Sequence, residues 1–389
     1  MKSIRSMWAT ALVAGVLGAC GGGGGGGGGI GGTGTMQVSL TDAPSCGFDQ
    51  VNVTVDRVRV NQSSSAADSD AGWSEVVLSP ARRIDLLTLT NGVLENLGQT
   101  QLPAGKYTQL RLVLVDNSSA NPLANSVVPT GGSETALTTP SGQQSGLKIN
   151  VDIDVAADKV ADVVLDFDAC KSIVTRGNSG QYNLKPVLSA TTVLSDAGLR
   201  VIGYVAPAIG LPSTLVSVQA NGVPVKATAP DATGKFVLYP VPAGTYDLVV
   251  TSSGHATAVM TGVPVVTTAP TTLNSTTLPI SPPSALTRAV TGTVTPATAT
   301  VRATQALTGG PTIEAAWGLV DSTSGAFSFA LPIEAPVKTA YVANPATLSF
   351  TADAAAAGKY TLVAASAGAT KTQAIDANAV VQPVTFTFP

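Results

Sequence analysis

The sequence predicts an all-β protein made of tandem β-sandwich domains. Charged residues are only 12% of the 389 residues, whereas apolar residues are 44%, which is enough to form several hydrophobic cores. Short segments of alternating apolar and polar residues recur along the chain and contain many valines and threonines, which favour strands. The 40 glycines and 25 prolines separate these segments with turns. The length predicts two or three domains.

The first 19 residues have the features of a cleaved export signal. Lys2 and Arg5 precede an uncharged segment, residues 7–17, and small residues follow it. This segment is too short to span a bilayer, which requires about 20 apolar residues. We therefore expect residues 1–19 to be removed from the mature protein.

The signal ends in Leu17-Gly18-Ala19-Cys20. These residues resemble the bacterial lipobox. The resemblance implies that diacylglycerol is attached to the Cys20 sulfur, that the chain is cut before it and that the new N-terminus is acylated. Several acyl chains anchor a protein stably, whereas one chain does so only marginally. Because Gly21 and not aspartate follows, the resemblance implies the outer membrane, with the protein facing the periplasm or the cell surface. The alternative is a free thiol in an uncleaved leader.

Residues 20–34 form a predicted tether that is almost entirely glycine. A glycine-rich coil of this length has a mean reach of about 20 Å, which separates the first folded domain from the lipid headgroups. A phosphate-binding loop is the competing interpretation of a glycine run. It is dismissed because neither a preceding strand nor a following Gly-Lys-Ser/Thr is present.

Cys46 and Cys170 are the remaining cysteines, and export would place them in an oxidising compartment. We expect them to form a disulfide that closes a loop of more than a hundred residues. The alternative is two buried or free thiols. With these two cysteines and a single histidine, neither a metal site nor a cofactor is expected. The net charge of −3, which becomes −5 without Lys2 and Arg5, does not predict nucleic-acid binding.

The first domain is predicted at residues 35–193. Residues 51–60 begin with strict alternation, and the order of inward and outward side chains shifts at Asp56-Arg57, which predicts a β-bulge. The other predicted elements are strands at residues 36–40 and 108–115, a strand or short helix at 84–89 and a long loop or excursion at 116–146.

Several motifs of this domain occur together in one order. They are Val38-Ser39-Leu40-Thr41-Asp42-Ala43-Pro44, Trp73, Asp85-Leu86-Leu87, Leu102-Pro103-Ala104-Gly105-Lys106-Tyr107, Arg111-Leu112, Gly146-Leu147-Lys148, Leu165-Asp166-Phe167-Asp168 and Leu184-Lys185-Pro186. The series resembles a bacterial lipoprotein domain, the domain-of-unknown-function family 4382. The resemblance implies a secreted, anchored, β-rich module and no assigned activity.

Two strands of the first domain carry aspartates at alternate positions. Asp152 and Asp154 share one face of their strand, and Asp166 and Asp168 share one face of theirs. Converging pairs could bind calcium through carboxylate oxygens. We favour the simpler interpretation, in which the intervening apolar residues lie inside and all four aspartates lie in water.

The second domain is predicted at residues 200–279, with short strands at regular intervals. Residues 231–236, residues 241–246 and Ser253-Gly254-His255 resemble the carboxypeptidase-regulatory-like or prealbumin-like repeat. The resemblance implies a seven-stranded, immunoglobulin-like or prealbumin-like sandwich that is often grouped with carbohydrate-binding-like folds. It also implies a spacer or binding role.

The third domain, residues 287–389, is predicted to be a divergent copy of the second. Residues 290–296 repeat the pattern of residues 201–207, and two later motifs of the second domain recur in the third with an insert between them. A proline-rich linker, residues 279–284, separates the two copies. We therefore expect the domains to be arranged as beads on a string.

No catalytic residue is predicted. His255 lies in a turn, where an exposed residue is more common than a catalytic base. Trp73 and Trp317 are candidate sugar platforms, but a single tryptophan per sandwich is more typical of a core. We expect a non-enzymatic, membrane-anchored lipoprotein that acts as a structural or interaction module of the cell envelope, with an envelope protein as partner. The alternative is a glycan-binding surface lipoprotein. An enzyme would require a pocket that joins His255 to a serine and a carboxylate.

Overall fold

The computed structural model describes residues 32–42, 47–140, 145–193 and 198–389. The predicted signal, Cys20 and the glycines before Gly32 lie outside the described residues. Nearly all regular structure in the described part is β, arranged in separate sheets that pack in pairs. The predicted all-β class with tandem sandwiches is therefore confirmed.

The first domain (residues 32–193) is a sandwich of two sheets around one large apolar core. Its elements are β1 Thr33–Asp42, β2 Phe48–Asn61, β3 Ser74–Asp85, β4 Glu95–Pro103, β5 Gly105–Leu114, β6 Ser126–Pro129, β7 Thr135–Thr138, β8 Leu147–Val155, β9 Val160–Phe167, α1 Ala169–Ser172, β10 Ile173–Thr175, β11 Tyr182–Leu184 and β12 Leu188–Val193. One sheet has the order β12-β9-β1-β4, and the other has the order β10-β11-β7-β6-β2-β5-β8, with β3 also paired to β2.

Strand β2 shows how the sequence pattern determines this domain. Val51, Val53 and Val55 are fully buried, as their alternation predicts. The pairing register of β2 shifts between Val55 and Arg57 against both β3 and β5. The predicted bulge at Asp56-Arg57 is confirmed, and it allows Val58 and Val60 to remain in the core.

Two local predictions for this domain require correction or completion. Residues 116–146 are not a plain loop, because they contain β6 and β7, which extend the larger sheet. The segment at residues 84–89 ends β3 and continues as a 3-10 helix, Leu86–Leu89. The Asp85 side chain accepts a hydrogen bond from the Leu87 amide, which caps this helix.

The second domain (residues 198–286) and the third domain (residues 287–389) have the same strand order. Strands β13 Val201–Tyr204, β14 Thr214–Ala220, β15 Val223–Thr228, β16 Lys235–Leu238, β17 Gly244–Ser252, β18 Ala258–Val265 and β19 Thr271–Thr272 form the second domain. Strands β20 Thr287–Thr295, β21 Thr300–Ala306, β22 Thr312–Gly318, β23 Ala326–Pro332, β26 Lys359–Ser366, β27 Ala369–Asp376 and β28 Val384–Thr387 form the third. The small sheets are β16-β13-β19 and β23-β20-β28, and the large sheets begin β15-β14-β17-β18 and β22-β21-β26-β27.

The repeat extends to individual contacts. A Cβ added at Gly203 would lie 2.4 Å from the Phe236 ring, and one added at Gly292 would lie 2.4 Å from the Phe327 ring. Each glycine therefore allows an aromatic ring to pack against the backbone of the first strand of its sandwich. The second and third domains therefore have this glycine–aromatic contact in common as well as their strand order.

The insert of the third domain belongs structurally to the second domain. It forms β24 Val337–Ala340 and β25 Thr351–Ala352, and β24 pairs in parallel with β18. Tyr341 packs against the core of the second domain. The large sheet of the second domain therefore has six strands, in the order β15-β14-β17-β18-β24-β25.

The expected beads on a string are wrong, because residues 32–389 form one compact unit. The Val237 amide of the second domain donates to Asn91 Oδ1 of the first at 2.5 Å. Lys185 Nζ of the first domain donates to the Ala299 carbonyl of the third at 2.7 Å. The proline-rich linker is also packed, since Ile280 is 1% exposed within the core of the second domain. Direct contacts therefore fix each pair of domains.

Candidate functional site

A cavity of about 420 Å³ lies where the three domains meet. Its floor is the outer face of the large sheet of the second domain. Helix α1 of the first domain and strand β22 of the third domain form its walls. Its lining includes Asp168 and Lys171 from the first domain, Leu215, Ser217 and Gln219 from the second, and Glu314 and Trp317 from the third.

Alternation along β14 produces the floor. Val216 and Val218 point into the core of the second domain, so Leu215, Ser217 and Gln219 point to the cavity. Gln219 also attaches the third domain to this face. Its Nε2 donates to the Glu314 carbonyl at 2.9 Å, and its Oε1 accepts from the Glu314 amide at 2.8 Å. One buried side chain therefore satisfies both backbone groups of a residue in β22.

Charged groups from two domains meet at one end of the cavity. Lys171 Nζ lies 3.1 Å from Glu314 Oε1 and 3.6 Å from Asp168 Oδ2. Arg302 Nη1 lies 3.6 Å from Glu314 Oε2. Lys171 Nζ is also 5.0 Å from the centroid of the Trp317 ring, which is within the range of a cation–π interaction. An ammonium group in this position is therefore held by two carboxylates and an aromatic face.

Asp168 has two roles at this end of the cavity. It is the N-cap of α1, because its side chain accepts from the Lys171 amide at 3.0 Å. Burial raises the pKa of Asp168, and the nearby negative charges of Asp166 and Glu314 raise it further, whereas Lys171 opposes them. The raised pKa therefore reflects mainly the removal of this carboxylate from water.

A second buried group of charges lies beside the cavity. Lys226 Nζ of the second domain is 2.7 Å from Asp166 Oδ1 of the first. Asp42 is 1% exposed, and its Oδ1 accepts from the Ala169 amide at 2.8 Å. Burial raises the pKa of Asp42 well above the ordinary value of 3.8. A smaller cavity of about 120 Å³ is lined by Asp166, Lys226 and Asp168.

The predicted positions of the four aspartates are only half correct. Asp152 and Asp154 are exposed, and Asp152 pairs with Lys106 at 2.7 Å. Asp166 and Asp168 do not lie in water, because the second and third domains cover this end of β9. Within the described ranges, no group of three or more His, Cys, Asp or Glu side chains is placed to hold a metal ion.

The structure describes one of the two cysteines of the predicted disulfide. Cys170 lies in α1 and lines the cavity. Cys46 lies outside the described residues, so its bond to Cys170 stays a prediction.

His255 and the two tryptophans lie apart from one another. His255 Nδ1 is 3.1 Å from the Ser253 carbonyl in its turn, and this histidine does not line the cavity. The guanidinium carbons of Arg59 and Arg111 lie 4.6 and 4.8 Å from the centroid of the Trp73 ring. Trp317 lines the cavity. The tryptophans therefore do not form one shared platform.

Sequence reasoning did not identify Lys171, Gln219 or Glu314 as site residues. One weak signal was present, because Glu314 is the only charged residue of β22, Thr312–Gly318. A charge in such a strand indicates a partner on the facing surface. The sequence does not identify that partner, because it comes from another domain.

No helix in the part of the chain that the structure describes is both long and apolar enough to cross a membrane.

Solved structures with some similarity are distant. The chain is 26% identical to a chain of a type II cohesin–X-dockerin complex of Acetivibrio cellulolyticus, an N-terminal interface mutant, over 23% of this chain and 59% of that chain, with a TM-score of 0.20. The C-terminal interface mutant of that complex gives 25% identity over 22% and 57%, with a TM-score of 0.18. A Streptococcal ancillary pilin gives 9% identity over 91% and 98%, with a TM-score of 0.15. Such low TM-scores support no conclusion about function.

No curated protein matches the chain. Residues 33–186 match the model of a family described as "Domain of unknown function (DUF4382)". The match covers nearly all of the first domain, and it confirms the family resemblance of that domain's motifs.

Proposed function

We propose that the protein is a non-enzymatic lipoprotein, held in the outer membrane by acylated Cys20, that acts as a binding module of the cell envelope. The observation that carries the binding role is the cavity to which all three domains contribute. Concave sites with a mostly apolar lining and a few convergent polar groups are the usual locations of ligand binding. The contacts that fix each pair of domains would keep such a site preformed.

Carbohydrate binding is the second candidate function. The observation in its favour is Trp317 at the cavity, together with the hydroxyl-bearing lining residues Ser213, Ser217 and Thr251. An aromatic ring packs against the apolar face of a sugar, and hydroxyl groups exchange hydrogen bonds with its edge. A glycan array tests this candidate, which predicts glycan signals that Trp317→Leu abolishes.

Thermal unfolding in a compound library tests the binding role. The mature chain would carry Cys20→Ser to keep it free of lipid. A ligand of the cavity should raise the midpoint for the wild-type cavity and leave the midpoint of Trp317→Leu unchanged. Trp73→Leu is the matched control, because it removes a tryptophan from a different domain and should retain the response. If no compound distinguishes Trp317→Leu from Trp73→Leu, the cavity is not the binding site.

Metabolic labelling tests the anchor. Radiolabelled palmitate should enter the wild-type protein and should be absent from Cys20→Ser, which should move from the membrane to the soluble fraction. Unchanged fractionation of Cys20→Ser would refute the anchor without bearing on the cavity.

A further inference from the structure

We infer that the three-domain cavity takes a small amphipathic cation, namely an apolar body that carries a protonated amine or a quaternary ammonium group. This inference rests on the proposed function, because it assigns a ligand class to the same site. Three features of the cavity support it: the composition of its walls, the arrangement of groups at its charged end and the balance of charge around that end.

The walls suit an apolar body. Leu215 and Val249 line the floor, and Ala315, Ala316 and Leu319 line the side formed by the third domain. Burial of apolar surface is favourable by about 25 cal/mol per Å². A volume of about 420 Å³ accommodates a ring or short chain of roughly ten heavy atoms. A fully hydroxylated ligand would leave many of its polar groups against these side chains.

The charged end already holds an ammonium group. Lys171 Nζ contacts Asp168 and Glu314 and lies over the Trp317 ring. Carboxylates with an aromatic face are the groups that proteins use to bind organic ammonium ions. Asp168 and Glu314 also line the cavity, so a ligand ammonium can share these acceptors with Lys171.

The charge balance favours a cation over an anion. The charged residues of the lining are Asp168, Lys171 and Glu314, so it has two carboxylates and one ammonium group, and the second domain contributes no charged residue. Arg302, which lies 3.6 Å from Glu314, is not among the lining residues. A ligand anion would meet two carboxylates, whereas a ligand cation would reduce their mutual repulsion.

Calorimetric titration with charge-matched probes tests the inference on the mature chain carrying Cys20→Ser. The probes are benzyltrimethylammonium, phenylacetate, benzyl alcohol and methyl glucoside. Benzyltrimethylammonium should bind the most tightly. Glu314→Gln and Trp317→Leu should each weaken it by roughly tenfold, because each removes one interaction with the ammonium. Glu95→Gln, in a surface pair with Arg82, should leave the affinity unchanged.

Lys171→Met should change the affinity for benzyltrimethylammonium in the direction opposite to Glu314→Gln and Trp317→Leu. Removal of the resident ammonium leaves Asp168 and Glu314 without their shared cation, so benzyltrimethylammonium should bind roughly tenfold more tightly. A merely structural role for Lys171 would lower the affinity for every probe.

Several results would overturn the inference. One is tighter binding of phenylacetate or methyl glucoside than of benzyltrimethylammonium, with a dependence on Trp317, which would leave the proposed function intact. Another is cation binding that is insensitive to Glu314→Gln, Trp317→Leu and Lys171→Met. Absence of binding by all four probes also refutes the ligand class, whereas the proposed function is decided separately by the library screen.

Discussion

The equivalent turns of the two repeats allow one contact between domains to be measured against an internal control. In the second domain, Asp231 Oδ1 accepts from the Thr233 amide and hydroxyl and from the Lys235 amide, at 2.7–3.1 Å. In the third domain, Asp321 Oδ1 makes the same kind of turn with Thr323 and Ser324, at 2.7–3.0 Å. The perturbation is aspartate to asparagine at each position.

Asp321 has an additional role that the turn alone does not require. Its Oδ2 accepts from the Thr175 hydroxyl at 2.9 Å and from the Gly177 amide at 2.6 Å, and both donors belong to the first domain. Burial raises the pKa of Asp321, but hydrogen bonds from Ser324, Thr175 and Thr323 outweigh it, so the pKa lies below its ordinary value. The ionised form therefore stabilises the contact between the first and third domains.

The magnitude follows from the lost acceptors. Asparagine retains one oxygen, so Asp231→Asn loses mainly charge and should lower the free energy of unfolding by about 1 kcal/mol. Asp321→Asn also places an NH₂ group opposite two donors. Hydrogen bonds to a charged group contribute about 1.5–3 kcal/mol each when buried, and less where solvent screens them. Because Asp321 is partly exposed, we expect a loss of about 2 kcal/mol.

Urea denaturation with a double-mutant cycle provides the assay. Thr175→Val removes the hydroxyl donor without a large change of volume. Its coupling to Asp321→Asn should be about 1 kcal/mol, whereas its coupling to Asp231→Asn should be close to zero. The difference in unfolding free energy between wild type and Asp321→Asn should also shrink as pH falls below 3.8 toward the lowered pKa of Asp321. Protonation then removes the ionised carboxylate that stabilises the contact. Equal losses at positions 231 and 321, with no coupling to Thr175, would refute the reasoning.

Three further predictions concern burial, a strand edge and redox state. Burial raises the pKa of Asp42, so the unfolded chain releases that proton at lower pH than the folded chain, and the wild type loses stability as pH rises above 3.8. Asp42→Asn should therefore gain stability relative to wild type as pH rises above 3.8, measured as urea midpoints across pH, and a pH-independent difference would contradict this. Lys371 is on β27, the edge strand of its sheet among the described residues, and Lys359 is on the interior strand β26. Because a charge on an edge strand hinders pairing with another chain, Lys371→Val should increase self-association in sedimentation experiments, whereas Lys359→Val should not. Equal self-association of the two variants would contradict a protective role for Lys371. Peptides containing Cys46 and Cys170 should be joined in a non-reduced digest, with reduction costing about 4–5 kcal/mol, and alkylation of both thiols would disprove the bond.

The sequence predicted features that depend on neighbouring residues. Alternation placed Val51, Val53 and Val55 in the core, and the shift at Asp56-Arg57 predicted the bulge. The equivalence of the third domain to the second was also visible, because turn aspartates and glycines occur at corresponding points. Such features are encoded by local spacing, which a single sequence displays directly.

The site was not predictable, because its parts belong to different domains. Asp166 and Asp168 alternate with apolar residues as exposed aspartates do, but residues 224–227 of the second domain, which include Lys226, lie beside them. Gln219 alternates with core residues along β14, as a surface residue would, yet it is 2% exposed because β22 lies over it. Local periodicity distinguishes the inner and outer faces of a sheet, but it does not reveal whether another domain covers the outer face.

The two copies differ at one edge in a way that explains where the insert docks. In the second domain, Ala258 and Met260 of β18 face the core and are nearly fully buried, since β24 continues the sheet beyond them. In the third domain, Lys371 and Gln373 of β27 lie opposite Ala364 and Leu362, which are core residues, so they point to the same face. No further strand pairs with β27 among the described residues, and Lys371 Nζ reaches the ring of Phe388 at 5.5 Å and the Thr387 carbonyl. Inward-pointing charge is a common means of protecting an open edge from pairing with another chain. In this protein, alanine and methionine on the outer strand therefore accompany the covered edge, and lysine and glutamine at the corresponding positions accompany the unpaired one.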